Sequence, residues 1–182
     1  MDVKAFLKEI TASPDYRGQI CGEHIIPARP PCYGELAAPL PEELAASLKA
    51  AGIEGLYSHQ AAAVGLVRQG KNIVVVTGTA SGKTLCYNLP VLEAWLRDHD
   101  SRALYLFPTK ALAQDQLKGL KRLTAGWPQA PVMGTYDGDT PPTSRKKLRD
   151  EGRIILTNPD MLHQGILPKH TAWGDFFARL RF

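Results

Sequence analysis

Residues 74–88 read VVVTGTASGKTLCYN, and the fold turns on how that stretch is parsed. A β-branched run ends in a loop of small residues, which closes on Gly82-Lys83-Thr84 before a helical pattern begins. A strand, a glycine-bearing loop and a helix in this order form a phosphate cradle, because backbone N–H groups and a helix N-terminus converge on the anion. Gly78 permits the sharp exit from the strand, and Gly82 permits close approach of backbone to phosphate. Lys83 is expected to reach the β- and γ-phosphates, and the Thr84 hydroxyl to hold Mg²⁺, so both carry the chemistry. Thr79, Ala80 and Ser81 complete the loop, with Thr77 where the usual first glycine would stand. Ala80 matters only if its position needs a positive φ, which costs a non-glycine residue about 1–2 kcal/mol. With glycine at 78 and 82, that need is expected to be met elsewhere. The alternative is a Gly/Ser turn with no ligand, and the flanking strand and helix patterns argue against it.

The rest of the chain fits a parallel sheet around this loop. Apolar runs at 73–77, 103–107, 131–136 and 153–157 alternate with helical segments at 83–97, 110–124 and 142–151. Near-continuous apolar strands alternating with helices predict an α/β fold, a parallel sheet with helices on both faces. Upstream, residues 2–12 read as a short amphipathic helix. Ser13 to Leu40 is rich in Pro and Gly and reads as an extended arm. Pro41 suits a first helical position before Gly52, and Ser58 an N-cap for a helix through Gln69, stopped by Gly70. The expected domains are therefore 1–40, helix and arm, and 41–182, the nucleotide-binding domain.

Bulk properties exclude several classes. The chain has 182 residues, 44% hydrophobic and 22% charged, enough to bury about 70% of its unfolded surface. No run approaches the roughly 20 apolar residues of a membrane helix, so no membrane association is expected. The N-terminus lacks the apolar core of a signal peptide. Cys21, Cys32 and Cys86 form no CxxC pair, so neither a disulfide framework nor a zinc site is indicated, and a reducing cytoplasm is the default. The net charge is +4. From Pro108 to Asp150, eight Lys or Arg stand against four Asp, so this one stretch carries the whole surplus. It reads either as solvated helix faces or as the footprint of a polyanion.

Further blocks follow each strand pattern. Tyr57-Ser58-His59-Gln60 opens a helix, and a glutamine amide can both donate to and accept from an adenine edge. "LFPTKALAQDQ" spans 106–116, "TYDGDTPP" 135–142 and "LTNPDML" 156–162. Together these blocks resemble the first RecA-like motor domain of superfamily 2 helicases of the DEAD/DEAH kind. The wording is most similar to the MrfA/YprA-type branch of RecQ-like DNA helicases, over roughly residues 30–182. The resemblance implies a RecA-like P-loop domain that binds ATP, with Tyr57 and Gln60 at the adenine. It implies nucleic-acid backbone contacts by Pro108, Thr109, Lys110, Gln114 and Gln116, with Asp115 at the position that the family gives to glutamine. Further contacts are implied for Gly138, Asp139, Thr140, Thr157, Asn158 and Pro159. Such contacts fix position without reading sequence, as a motor stepping along any strand requires. Tyr136 reads either as a base-stacking residue or as core.

The implied activity is ATP-dependent translocation on single-stranded DNA, with RNA as an alternative, and a role in repair. The implied partner is a second RecA-like domain of the same protein. In the family a strand ending in Asp-Glu follows, and the sequence contains no D-E-x-H or D-E-x-D. The 182 residues therefore read as an incomplete motor domain, truncated before that strand end and inactive alone. A non-catalytic module that binds nucleotide or single strands is the competing reading. A small-molecule kinase is disfavoured by the block at 106–116. Tyr33 is the nearest upstream aromatic to an adenine.

Overall fold

Ile154–Thr157 is buried along its whole length, and this strand organises the molecule. The computed structural model describes residues 2–28 and 30–182. The chain forms two compact units, Met1–Pro31 and Cys32–Phe182. The first contains helix α1, Val3–Ala12, whose N-terminus is capped by the Asp2 carboxylate accepting from Lys4 N at 3.0 Å and Ala5 N at 3.2 Å. No residue of α1 is buried. The expected arm follows without regular structure, Arg29 within it lying outside the described residues.

The second unit begins earlier than residue 41. Tyr33 bridges Tyr57 in antiparallel fashion, Gly34 N donates to Leu56 O at 2.9 Å, and Ser58 N donates to Cys32 O at 2.8 Å. Helices α2 (Glu42–Ala50), α3 (Ser58–Arg68) and α4 (Lys83–Arg97) follow. Then strand β1 (Ala103–Leu106), helix α5 (Lys110–Leu123), β2 (Met133–Thr135), α6 (Pro142–Glu151) and β3 (Ile154–Thr157) alternate. All three strands are parallel in the order β1-β3-β2, with Ile154 opposite both Ala103 and Met133. Alternate residues of β3 point to opposite faces. Ile154 and Leu156 join the core built by α2, α3, α4 and α5, while Ile155 joins Leu148 of α6 and the buried Ile166, Trp173 and Phe176. Helices therefore cover both faces, as the alternation predicts.

One expected strand does not form. Residues 73–77 belong to no ladder, and Val74 and Val76 are 90% and 87% exposed. A strand exists through its neighbours, and the outer edge of β1 is already taken. Arg181 N donates to Arg102 O at 2.9 Å and Leu104 N to Phe182 O at 2.9 Å, so 180–182 runs parallel beside it. A cavity of about 620 Å³, bounded by Ile73, Tyr87, Pro90, Leu104 and Phe182, separates the run from the sheet. Past β3, helix α7 (Pro159–Met161), a wide turn over Leu162–Ile166, a tight helical turn over Leu167–Trp173 and helix α8 (Gly174–Ala178) build the second face. No periodicity announces these elements.

A buried ion pair joins α3 to α4. Arg68 holds Glu93 through Nε at 3.0 Å and Nη2 at 2.8 Å, and also donates to the Ala38 and Pro39 carbonyls. Arg97 adds a third contact to Glu93 at 2.7 Å. Removing one partner leaves a desolvated carboxylate with only the half-exposed Arg97. Arg68→Met should therefore destabilise the chain by about 2–4 kcal/mol in chemical denaturation. Cys21 and Cys32 are exposed and Cys86 is buried, where desolvation pushes its thiol up. Titration with a thiol reagent should modify the first two quickly and Cys86 only in denaturant.

Candidate functional site

The loop Gly78–Gly82 is held from outside its own strand. Gln60 is 2% exposed and sits in the first turn of α3. Its Oε1 accepts from Tyr57 N at 2.9 Å, and its Nε2 donates to the Gly82 carbonyl at 2.9 Å. Gly82 caps α4 with φ +78°, and a Cβ there would lie 2.5 Å from Gln60 Nε2. Glycine is required twice over, by the left-handed backbone and by the close approach of the amide. Beside it the Tyr57 ring stacks on Tyr33, with centroids 5.6 Å apart, and on His59 at 5.9 Å. Tyr33 and Tyr57 stay exposed, so this aromatic stack borders the loop as a surface against which a purine can lie.

Ala80 does adopt a positive φ, +57°, so the two glycines do not relieve it as the sequence reading expected. The loop closes on itself through Thr77 Oγ1 and Ser81 Oγ at 2.6 Å. Lys83 Nζ donates to Thr77 O at 2.8 Å, to Gly78 O, and to Ser81 Oγ at 3.5 Å. Among the described residues, the N–H groups of Thr79 through Thr84 make no backbone hydrogen bond. Free N–H donors, a flexible ammonium held by exchangeable carbonyls, a helix N-terminus and the Thr84 hydroxyl form the donor set that a triphosphate with a hard divalent cation takes. ATP and Mg²⁺ fit these residues. No group of three or more His, Cys, Asp or Glu suited to a metal occurs among the described residues.

The three later blocks meet at the carboxyl edge of the sheet. Phe107 N donates to Thr157 O at 2.9 Å, and Tyr136 N to Leu156 O at 2.8 Å, which brings 107–109, 157–159 and 136–140 side by side. Thr109 caps α5, accepting from Leu112 N at 3.2 Å, and Asn158 caps α7, accepting from Met161 N at 2.8 Å. Both keep donors, the Thr109 hydroxyl proton and the Asn158 amide. Thr157 and Thr140 differ. Thr157, 2% exposed, donates to Tyr136 O at 2.6 Å, and the Thr140 hydroxyl donates to Thr135 O at 3.0 Å while accepting from Asp137 N at 3.0 Å. These two hydroxyls shape the edge rather than project from it.

Lys110 pairs with Asp139 at 2.6 Å, which raises its ammonium above the usual lysine range. Gln114 Nε2 donates to Thr135 Oγ1 at 2.7 Å. Gln116 Oε1 accepts from Tyr87 OH at 3.1 Å, and Asp115 stays exposed between them. Pro108, Gly138 and Pro159 lie exposed along the same rim. The sequence reading missed three residues here. Asp137, 5% exposed, accepts from Asp139 N and Thr140 N and folds the loop. Arg145 donates to the Asp137 and Gly138 carbonyls at 2.8 Å and lies over the Tyr136 ring. Tyr87 lies one helical turn after Thr84, a spacing that could have signalled it. Tyr136 meets Trp173 edge-on at 4.9 Å and belongs to the core.

Part of the basic surplus lies away from this edge. Lys121 and Arg122 sit in the last turn of α5, and Arg149 in the last turn of α6. Each crossover helix carries the chain back to the amino edge of the next strand, so these charges lie opposite the site.

A phosphate-loop α/β domain with a second row of polar loops on its strand ends is the architecture of a nucleotide-driven motor domain. A family model for the DEAD/DEAH box helicase matches residues 57–182, and the chain belongs to that family. It is 52% identical over 148 residues to the uncharacterized ATP-dependent helicase YprA of Bacillus subtilis, covering 79% of this chain and 20% of that protein. It is 42% identical over 184 residues to the ATP-dependent helicase hrq1 of Schizosaccharomyces pombe, covering 98% of this chain and 17% of that one. A crystal structure of the DUF1998 helicase MrfA bound to DNA and AMPPNP superposes with TM-score 0.81 at 49% identity, over 84% of this chain and 22% of that one. The chain thus spans about a fifth of the length of these relatives. Among the described residues no helix is long and apolar enough to cross a membrane.

Two substitutions test the loop. Lys83→Ala removes about two charge-assisted hydrogen bonds and should weaken Mg²⁺–ATP binding at least about 100-fold by calorimetry. Gly82→Ala forces out the Gln60 amide and strains a left-handed position, so affinity should fall at least about tenfold, with a lowered melting temperature.

Proposed function

We propose that this chain is the ATP-binding motor domain of an ATP-dependent DNA helicase that couples ATP hydrolysis to movement along single-stranded DNA. One observation carries the reading. The phosphate loop at the start of α4 is linked, through Tyr87 and Gln116, to the sheet edge where three polar blocks converge. Lys83 binds the terminal phosphates and Thr84 the cation. Tyr57 and Gln60 border the adenine, using the lone pair and the proton that Gln60 keeps beyond its two bonds. Bound Mg²⁺ neutralises charge that develops on the transferred phosphoryl group.

At the edge, Thr109, Lys110, Asn158 and the free N–H groups at the start of α5 face the nucleic-acid backbone. Gln114, Gln116, Gly138, Asp139, Thr140, Thr157 and Pro159 shape that surface. The DNA assignment is supported by the likeness to MrfA, whose crystal structure is described as bound to DNA. A second RecA-like domain of the same protein is the proposed partner. A role in DNA repair in the cytoplasm completes the reading.

The sequence holds no D-E-x-H or D-E-x-D, so these 182 residues should bind nucleotide without turning it over. A carboxylate of that motif is what phosphoryl transfer relies on to hold the metal. Steady-state ATPase assays should give no DNA-stimulated turnover above background, and robust turnover would overturn the reading. Single-stranded DNA binding should weaken with salt at a log–log slope near −3, for about four phosphate contacts at about −0.7 each. Lys110→Ala should make that slope shallower by about 0.7. A salt-independent affinity would contradict a backbone grip, and stronger binding to RNA of matched length would move the substrate to RNA.

A further inference from the structure

Tyr87 belongs to neither the phosphate loop nor the polar rim, yet its hydroxyl lies between them. It is 3.4 Å from Thr84 Oγ1 on one side and 3.1 Å from Gln116 Oε1 on the other. Its ring is fixed edge-on against Tyr105, with centroids 5.7 Å apart. Tyr105 in turn donates to the buried Asn88 Oδ1 at 3.1 Å. The Tyr87 hydroxyl is therefore held in place by packing rather than left to swing.

A phenol has one proton, and an amide oxygen can only accept. The one Tyr87 proton therefore faces two acceptors, Gln116 Oε1 at 3.1 Å and, more weakly, Thr84 Oγ1 at 3.4 Å. When the Thr84 oxygen faces a cation, its lone pairs are drawn away from Tyr87, and the phenol proton is left to Gln116. The two bonds share one donor, so what weakens the bond to Thr84 strengthens the bond to Gln116. Gln116 stands on α5, whose first turn carries Thr109 and Lys110 and whose Gln114 is hydrogen-bonded to Thr135. A pull on Gln116 therefore acts on the helix that presents the nucleic-acid rim.

We infer that Tyr87 is a positioning residue that couples nucleotide at the phosphate loop to the nucleic-acid-facing end of α5. The inference rests on the proposed function of the two surfaces and goes beyond it by assigning the link to one hydroxyl. The test compares the intact chain with Tyr87→Phe, which keeps the ring against Tyr105 and deletes only the oxygen. Binding of a fluorescent oligo-dT strand is measured with and without Mg²⁺–AMPPNP, and hydrogen exchange of amides 110–113 is followed with nucleotide alone.

In the unmodified chain the analogue should change the DNA dissociation constant by about fivefold or more, the lower range of allosteric coupling. It should also change exchange at 110–113 with no DNA present. Tyr87→Phe should leave each ligand's own affinity within about twofold, abolish the exchange response and bring the coupling close to unity. A purely packing tyrosine would not move the coupling, so unaltered coupling and exchange in Tyr87→Phe would overturn the inference. Binding of both ligands by the unmodified chain with no coupling would overturn it too, while leaving the two surfaces intact. Binding of neither ligand would overturn the proposed function and the link together.

Discussion

The hydrogen bond from Gln60 Nε2 to the Gly82 carbonyl, 2.9 Å long, is the constraint on which the nucleotide site depends. Phosphate loops are usually held by the strand that feeds them. Here the feeding run, 73–77, is in no sheet, so its own backbone gives the loop no fixed origin. The loop is instead tied at its far end, where Gly82 turns left-handed into α4. The same amide accepts from Tyr57 N, so one side chain sets both the aromatic border and the phosphate cradle. Its burial makes the tie rigid, because an unpaired amide in that place would cost about 1–3 kcal/mol. The approach is so close that only glycine fits opposite it.

From that anchor the organisation spreads along α4. Leu89, Leu92 and Trp95 of this helix are buried against α3 and the sheet. Arg68 and Glu93 lock α3 to α4 a few turns beyond the loop. Across the sheet, the central β3 fixes the height of the three polar loops, because both its neighbours pair with it in register. Asp137, Thr140 and Arg145 then fold the 136–140 loop with hydrogen bonds that are mostly internal. This part of the polar edge is thus shaped by hydrogen bonds that turn inward.

Much of this was legible in the sequence, for identifiable reasons. Helix α4 begins at Lys83 and ends at Arg97 as the pattern indicates, because Gly82 and the apolar periodicity mark it unambiguously. The strands at 103 and 154 were readable from continuous apolar runs, and the clustering of the three blocks from the parallel alternation. The run 73–77 was misread because β-propensity describes a fit to neighbouring strands, and here no neighbour is in reach. The turns of 159–178 gave no period to detect, although Trp173 and Phe176 hinted at the second core that they form. The positive φ expected at the glycines also falls on Ala80, since which residue of a loop turns left-handed is decided by its closure and not by its composition. Nothing in the sequence shows that the hydroxyls at 140 and 157 turn inward, because their acceptors, the Thr135 and Tyr136 carbonyls, are supplied by the fold.

The measurement that bears most directly on this account is a crystal structure of the chain with Mg²⁺–AMPPNP. Lys83 Nζ should leave the carbonyls of Thr77 and Gly78 for the terminal phosphates. The Gln60–Gly82 bond should persist, with the base against Tyr57. Nucleotide lodged instead in the cavity beside β1 and Pro90, with Lys83 still on its own loop, would contradict it.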